Sequence, residues 1–97
     1  MLDGKYKTSL KTPIGKIDGT ITLITNGNNV EGIIETMGMK NKFNGSKISS
    51  DQCKFTGNLS SPIGQISYNA TCSVFNDNLE LDANTPQGNI KINGIRI

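Results

Sequence analysis

Apolar and polar residues alternate along almost the whole chain, and no segment has the residue spacing of an amphipathic helix. Alternation with a period of two places successive side chains on opposite faces of a strand. The first half of the chain therefore predicts four strands, over residues 5–11, 16–25, 29–36 and 40–48. The second half repeats the pattern and predicts four more.

One face of each predicted strand is mostly apolar and should point toward a common interior. Large side chains stand beside small ones on this face, which favours an interior filled by side chains. The residues placed on it are Tyr6, Thr8, Leu10, Ile17, Gly19, Ile21, Leu23, Val30, Gly32, Ile34, Asn41, Phe43, Ile48, Cys53, Phe55, Gly57, Leu59, Ile66, Tyr68, Ala70, Cys72, Val74, Leu79, Leu81, Ala83, Ile90, Ile92, Ile95 and Ile97.

Turn residues separate the predicted strands. Asn26 and Gly27, between Thr25 and Asn28, are typical of a two-residue type I′ hairpin loop. The segments 12–15, 61–64 and 85–88 each carry proline at the first central position of a turn. Two-residue loops at these prolines keep inward residues opposite inward residues, whereas three-residue loops would set apolar against polar.

The fourth and eighth predicted strands each change phase once. Phe43 is in phase with the residues before it, but Ile48 is not, and the eighth strand repeats this change. An Asn-Gly pair lies at each change, at residues 44–45 and 93–94. Asn-Gly within a strand is a favoured site for a β-bulge, so we predict two bulges at equivalent places.

Residues 5–48 can be laid over residues 54–97 without a gap, and 14 of the 44 positions are then identical. The offset is 49 residues throughout, which we interpret as an internal duplication within a single domain covering residues 1–97. Eight sequential antiparallel strands must hide two edges. The predicted fold class is therefore all-β, an eight-stranded antiparallel up-and-down β-barrel, with a two-layer β-sandwich as the alternative.

Turn and core residues recur in an order that spans nearly the whole chain: Tyr6, Thr12, Pro13, Gly15, Leu23, Asn26, Gly27, Gly32, Gly45, Phe55, Pro62, Gly64, Tyr68, Leu79, Gly94, Ile95 and Arg96. This order resembles small bacterial calycin-like, lipocalin-shaped β-barrel domains, which occur alone or appended to larger enzymes, including flavin-dependent oxidoreductases. The resemblance implies a barrel but supplies no activity and no functional residues. The chain departs from the group at Tyr6, where Trp is common, and at 75–77, where a Gly-Asp turn is usual.

Composition and charge argue against several classes of partner. The 10 basic and 8 acidic side chains give a net charge of +2, and the lysines are spread along the chain. A nucleic-acid surface needs clustered basic residues. No apolar stretch approaches the roughly 20 residues of a membrane helix, and no signal peptide is visible. We therefore expect a cytoplasmic protein that binds neither nucleic acid nor a membrane.

Catalytic chemistry has little support in the sequence. Histidine is absent, so the commonest general base and metal ligand is missing. Every carboxylate falls in a turn or at an outward position, where acidic residues are ordinarily solvated. No Gly-x-x-Gly segment precedes a helix, so no phosphate-binding loop is predicted. We expect no enzyme activity, no metal site and no cofactor.

Cys53 and Cys72 are the two cysteines of the chain. A two-residue loop within 61–64 would make them direct cross-strand neighbours on the inner face. They could be buried thiols that pack as small apolar groups, a cross-strand disulfide near one rim, or a redox-catalytic pair. The first interpretation suits a reducing compartment. The third lacks the neighbouring histidine or helix N-terminus that lowers a thiol pKa.

A non-catalytic accessory or protein-interaction module is the first predicted function, either as a homo-oligomer or docked on a partner enzyme. Its candidate surface consists of three outward apolar residues of the first half, Ile24, Ile33 and Met37. Their counterparts in the second half are Ser73, Asp82 and Pro86.

The alternative is a carrier that binds a small, mostly apolar ligand inside the barrel. An inward polar group needs a partner, which can be another protein group, a water or a ligand. The candidate ligand-binding residues are the polar Asn41, Tyr68, Tyr6 and Thr8, with Phe43 and Phe55 as walls.

Overall fold

A computed structural model describes residues 2–12, 15–36, 38–61, 64–86 and 88–97. It confirms the predicted all-β fold, with eight antiparallel strands and no helix among these residues. The described segments therefore offer no helix with the length and apolarity needed to cross a bilayer. The strands are β1 (Gly4–Thr12), β2 (Gly15–Asn26), β3 (Asn29–Thr36), β4 (Met39–Ser49), β5 (Gln52–Ser61), β6 (Gly64–Phe75), β7 (Asn78–Thr85) and β8 (Gly88–Arg96).

Each strand pairs antiparallel with the next, and β8 pairs with β1, so the sheet closes into a barrel. Closure confirms the barrel over the sandwich and hides the two edges that an open sheet would expose. The turns after β2, β4 and β6 lie at the same end as the first and last residues, and this end is called the terminal end. The turns after β1, β3, β5 and β7 lie at the opposite end, called the hairpin end.

The registers within the hairpins are those that two-residue loops predict. Leu10 pairs with Ile17 between β1 and β2, and Cys53 pairs with Cys72 between β5 and β6. Pro13, Ile14, Pro62, Ile63 and Gln87 lie outside the described residues. The bounds of β2 and β3 return 49 residues later as those of β6 and β7, which fits the predicted duplication.

The turn between β2 and β3 lies one residue later than predicted. Asn26 pairs with Asn29, so the loop residues are Gly27 and Asn28, and Gly27 has a φ of 64°. Asn76 holds the equivalent position between β6 and β7, with a φ of 55°. Glycine and asparagine tolerate this left-handed conformation better than other residues, so the first loop position selects them in both halves.

The two bulges predicted at residues 44–45 and 93–94 are wrong. The ladder between β3 and β4 and that between β7 and β8 run through these pairs without a shift. The register shift of β4 lies later, between Lys47 and Ser49, where β4 pairs with β5.

Without those bulges the strands keep their phase, and three isoleucines predicted to face inward face solvent. Ile48, Ile95 and Ile97 are 52%, 61% and 69% exposed. The physical reason lies at the glycines. A Cβ added to Gly45 would overlap the backbone of β5 beside Phe55, so this glycine permits a close strand approach rather than an extra residue.

The terminal half of the barrel is closed to solvent by buried side chains. Leu2 precedes β1 and is 1% exposed, and the Tyr6 hydroxyl donates a 2.8 Å hydrogen bond to its carbonyl oxygen. This end is closed by side chains from most of the strands, each 3% exposed or less: Leu2, Tyr6, Leu23, Val30, Cys53, Cys72, Val74 and Leu79.

Neighbouring hairpins separate toward the hairpin end. The β4–β5 ladder stops at the pair Asn44 and Thr56, and the β6–β7 ladder stops at Asn69 and Asn84. The β5–β6 hairpin nevertheless remains paired as far as Ser61 and Gly64. Beyond these pairs β5 and β6 have no ladder to β4 or β7 in the described part of the chain, so side chains inside this end have fewer neighbours around them.

Candidate ligand-binding cavity

A cavity of about 130 Å³ lies inside the barrel toward the hairpin end. It is several times the roughly 30 Å³ that one water occupies in the liquid. The predicted filled interior is therefore found at the terminal end but not here. The cavity wall takes uncharged residues from every strand except β4: Thr8, Leu10, Ile17, Ile21, Ile34, Thr36, Phe55, Tyr68, Ala70, Leu81, Ala83, Thr85, Ile90 and Ile92.

The two halves of the chain contribute unequally to this wall. Ile21 of β2 pairs directly with Ile34 of β3. The equivalent pair of the second half, on β6 and β7, is Ala70 and Ala83. Strands four apart in an eight-stranded barrel lie across the interior from each other, so the isoleucine pair faces the alanine pair. The smaller alanines leave the space that isoleucines would fill.

Aromatic rings line one side of the interior. The rings of Phe43 and Phe55 stack with centroids 3.9 Å apart, and Tyr68 meets Phe55 edge-on with a centroid separation of 5.9 Å. Gly32 makes this stack feasible, because a Cβ at that position would overlap the Phe43 ring. Phe55 and Tyr68 reach the cavity, which is otherwise walled mainly by aliphatic side chains.

Four hydroxyl groups belong to residues of the cavity wall. Two of them are bonded to the backbone: Thr36 donates to the Asp18 carbonyl over 3.3 Å, and Thr85 donates to the Gly88 carbonyl over 2.7 Å. Tyr68 is half-buried, and burial raises the pKa of its hydroxyl above the ordinary value. Thr8, the fourth, is 8% exposed.

Of the six candidate ligand-binding residues, three line the cavity: Thr8, Phe55 and Tyr68. Phe43 supports the wall from behind, through its stack on Phe55. Tyr6 and Asn41 lie elsewhere, although both belong to the inward phase that alternation predicts. Half of the predicted ligand-binding residues therefore line the cavity.

Tyr6 belongs to the closed terminal end. It is fully buried, and besides its bond to Leu2 its hydroxyl accepts a 2.8 Å hydrogen bond from Arg96 Nη2. The Arg96 guanidinium carbon lies 5.3 Å from the Tyr6 ring centroid, within range of a cation–π interaction. Both functions of the hydroxyl are satisfied within the protein, so Tyr6 has a structural explanation.

Asn41 lies beside the cavity wall rather than in it. It is half-buried on β4 and pairs with Ile34, a wall residue. Its Nδ2 is buried and has no hydrogen-bond partner among the described residues. The sequence prediction that this inward amide is unusual holds, since a buried unpaired donor is rare in folded proteins.

Cys53 and Cys72 are neighbours, as predicted, and both are free and fully buried at the terminal end. The hydrogen bond with Cys53 and the burial of the site raise the pKa of the Cys72 thiol. The pair therefore packs as small apolar groups, away from the cavity.

Two of the three outer residues proposed as an interaction surface lie in the described part of the chain. Ile24 is 50% exposed, Ile33 is half-buried, and Met37 lies outside the described residues. Ile24 pairs with Glu31, a charged residue that borders the patch. This arrangement adds nothing in favour of the interaction module.

A larger hollow of about 670 Å³ lies on the outer surface of the barrel. It is crossed by a row of polar residues paired from β4 to β8, all of them exposed: Asn44, Thr56, Asn69, Asn84 and Asn89. Water competes for every hydrogen bond at such positions, so volume alone does not make this groove a better candidate than the apolar cavity inside the barrel.

Sequence reasoning missed the aliphatic part of the cavity wall, above all Ile34, Ile90 and Ile92. Alternation placed them correctly on the inner face, but the candidate residues were chosen among inward polar and aromatic side chains, which excluded these aliphatic ones. The signal that could have located the cavity is the change from Ile21 and Ile34 to alanine in the second repeat.

Similarity to known proteins was found in structure only. No protein-family model and no curated protein matches the chain. Among solved structures, a redesigned β-barrel named mFAP1, bound to DFHBI, is similar with a TM-score of 0.71 and 11% identity, covering 99% of this chain and 94% of that one. A second redesigned β-barrel has a TM-score of 0.68 and 10% identity, covering 99% and 90%.

The apo form of lipid binding protein 8 from Caenorhabditis elegans is also similar, with a TM-score of 0.63 and 10% identity, covering 98% of this chain and 94% of that chain. Identities this low establish a shared fold and nothing about a shared activity. The chain therefore has the fold of a closed eight-stranded β-barrel and is similar in architecture to a lipid binding protein and to redesigned barrels.

Proposed function

We propose that this protein binds one small, mostly apolar molecule inside the hairpin end of the barrel, without chemical change to it. The uncharged cavity of about 130 Å³ is the observation that carries this proposal. Apolar wall residues gain free energy when a ligand replaces the poorly bonded water of such a space. The proposal reverses the order of the two functions predicted from sequence.

The size of the cavity limits the ligand. An engineered cavity of about 150 Å³ lined by apolar side chains in another protein stays dry and binds benzene. A space of about 130 Å³ therefore suits a single ring or a short branched chain. Small ligands gain at most about 1.5 kcal/mol per heavy atom, so a ring compound of about seven heavy atoms should have a dissociation constant no smaller than roughly 20 nM.

Two similar structures support the proposal without deciding it. One is described as a lipid binding protein and the other as a barrel bound to DFHBI. Both descriptions attach binding of a small molecule or a lipid to a protein of this architecture. Docking on a partner enzyme, which the sequence resemblance implies, has no comparable support.

Toluene is a suitable probe because it is apolar and fits a cavity sized for one ring. We expect saturable binding to the wild type, followed by NMR shifts of backbone amides around Ala83 and Ile90. The Ala83→Ile variant restores the residue of the first repeat and should abolish binding by filling the cavity.

The matched control is Asn84→Ile, one residue along β7. Asn84 is exposed and faces outward, so the same side chain is added to the other face of the strand. Its toluene affinity should equal that of the wild type. Absence of saturable binding to the wild type, or equal binding to Ala83→Ile, overturns the proposed function.

A further inference from the structure

Tyr68 is the cavity residue whose polar group is best placed to meet a ligand. It belongs to β6 and pairs with Gly57 of β5. A Cβ on Gly57 would lie 3.0 Å from the Tyr68 hydroxyl oxygen, so the glycine leaves room for the ring to lie against the wall. The edge-on contact with Phe55, at an interplanar angle of 84°, fixes the plane of the ring.

The Tyr68 hydroxyl makes no hydrogen bond with any described residue. The hydroxyls of Thr36 and Thr85 are already bonded to backbone carbonyls. Thr8 has a short side chain and is 8% exposed, whereas the longer Tyr68 side chain carries its hydroxyl along the cavity wall to the neighbouring strand, beside Gly57. A partly desolvated donor without a partner gains more from a ligand acceptor than a solvated donor does.

We propose that Tyr68 anchors the ligand by donating a hydrogen bond, and that the ligand is a compact apolar molecule with one hydroxyl or carbonyl oxygen. Phenols, small alcohols and small ketones belong to this class. The inference rests on the proposed function and adds the chemical class of the ligand. Carboxylates are outside the class, because the cavity wall has no basic side chain to neutralise them.

Phenol and toluene test the inference because they have nearly the same shape and differ by one hydroxyl group. The measured quantity is the ratio of their dissociation constants, obtained by NMR titration of each variant. In Tyr68→Phe the ratio of the phenol to the toluene constant should rise about tenfold, since one hydrogen bond is lost from the phenol complex alone.

Tyr6→Phe is the matched control, as it makes the same change at the other tyrosine. Tyr6 lies outside the cavity wall, and its hydroxyl bonds to Leu2 and Arg96. This variant should unfold at a lower denaturant concentration and keep the wild-type ratio. Tyr68→Met removes the same hydroxyl and is measured as well, so that the conclusion does not depend on the folding of a single variant.

The outcomes separate the two proposals. If neither probe binds the wild type, the proposed function falls and the anchor falls with it. If toluene binds but the ratio is the same in the wild type and in both Tyr68 variants, the anchor is overturned while the apolar cavity stands. A tenfold rise that also occurs in Tyr6→Phe overturns the anchor too, because the effect would then not be local.

Discussion

The two ends of this barrel are built from the same eight strands but differ in packing. At the terminal end Leu23, Val30 and Leu79 are each 1% exposed, whereas Ile34 and Ile90 near the hairpin end are half-buried. All five are aliphatic and point inward. The difference arises because the β4–β5, β6–β7 and β8–β1 ladders stop before the hairpin end, so the wall there is less complete around the interior. Closure of the sheet, and not hydrophobicity alone, decides how deeply an inward side chain is buried.

The largest expected effect compares one aliphatic truncation at each end. Leu23→Ala should lower the free energy of unfolding by about 3–4 kcal/mol, because it opens a new void in a closely packed region. Ile90→Ala should cost about 1–2 kcal/mol, because it enlarges a space that is already present. Urea denaturation of both variants measures the difference. Equal costs would mean that the hairpin end is as tightly packed as the terminal end.

A second comparison uses two glycines that lie under aromatic rings. In Gly32→Ala the added methyl would overlap the Phe43 ring, which is held by its stack on Phe55, so we expect a loss of about 2–3 kcal/mol. In Gly57→Ala the added methyl group meets the Tyr68 hydroxyl, which can move toward the cavity. The loss of unfolding free energy should therefore stay below about 1 kcal/mol. Thermal unfolding monitored by circular dichroism measures both. A larger loss for Gly57→Ala would show that Tyr68 cannot move.

The smallest expected effect concerns Asp3 at the terminal end. The hydroxyl and backbone N–H of Thr25 both donate to its carboxylate, at 2.6 Å each, and these bonds hold the pKa of Asp3 below its ordinary value. A lowered folded-state pKa adds stability above the unfolded-state value near 3.8, and this stability disappears as pH falls through the folded-state pKa.

Asp3→Asn should therefore reduce stability by about 1 kcal/mol at pH 7 and by progressively less as the pH falls below 4. Urea denaturation across this pH range compares the variant with the wild type. A gap between the two proteins that does not change with pH would assign the effect to packing rather than to the ionised carboxylate.

Much of the fold was predictable because strand periodicity and turn chemistry are local. The pairing of Leu10 with Ile17, and of Cys53 with Cys72, followed from loop length and parity. The outward orientation of Ile48 could not be predicted in the same way, because an Asn-Gly pair within a strand is compatible with either a bulge or a close approach of two strands. The choice at Gly45 depends on Phe55 of the neighbouring strand, which a local pattern does not contain.

The cavity was only partly predictable for a related reason. Alternation placed Thr8, Phe55 and Tyr68 on the inner face, but it says nothing about height within the barrel. Height depends on the register between the two repeats, and their two seams, β4–β5 and β8–β1, differ in register. Gly45 pairs with Phe55, but the equivalent Gly94 pairs with Thr8 rather than with Tyr6. This two-residue difference is set by closure of the whole barrel.

The early end of the β4–β5 and β6–β7 ladders has a consequence for association between molecules. Beyond Thr56 and Asn69 the β5–β6 hairpin pairs with no neighbouring strand among the described residues, so its outer backbone groups resemble those of a sheet edge. Exposed edges invite pairing with another chain. Asn58, Gln65 and Ser67 are exposed there, and the Ser67 hydroxyl bonds to the Asn58 side chain over 2.8 Å. Polar residues with low strand propensity disfavour pairing with another chain, so this unpaired hairpin is protected against edge-to-edge aggregation.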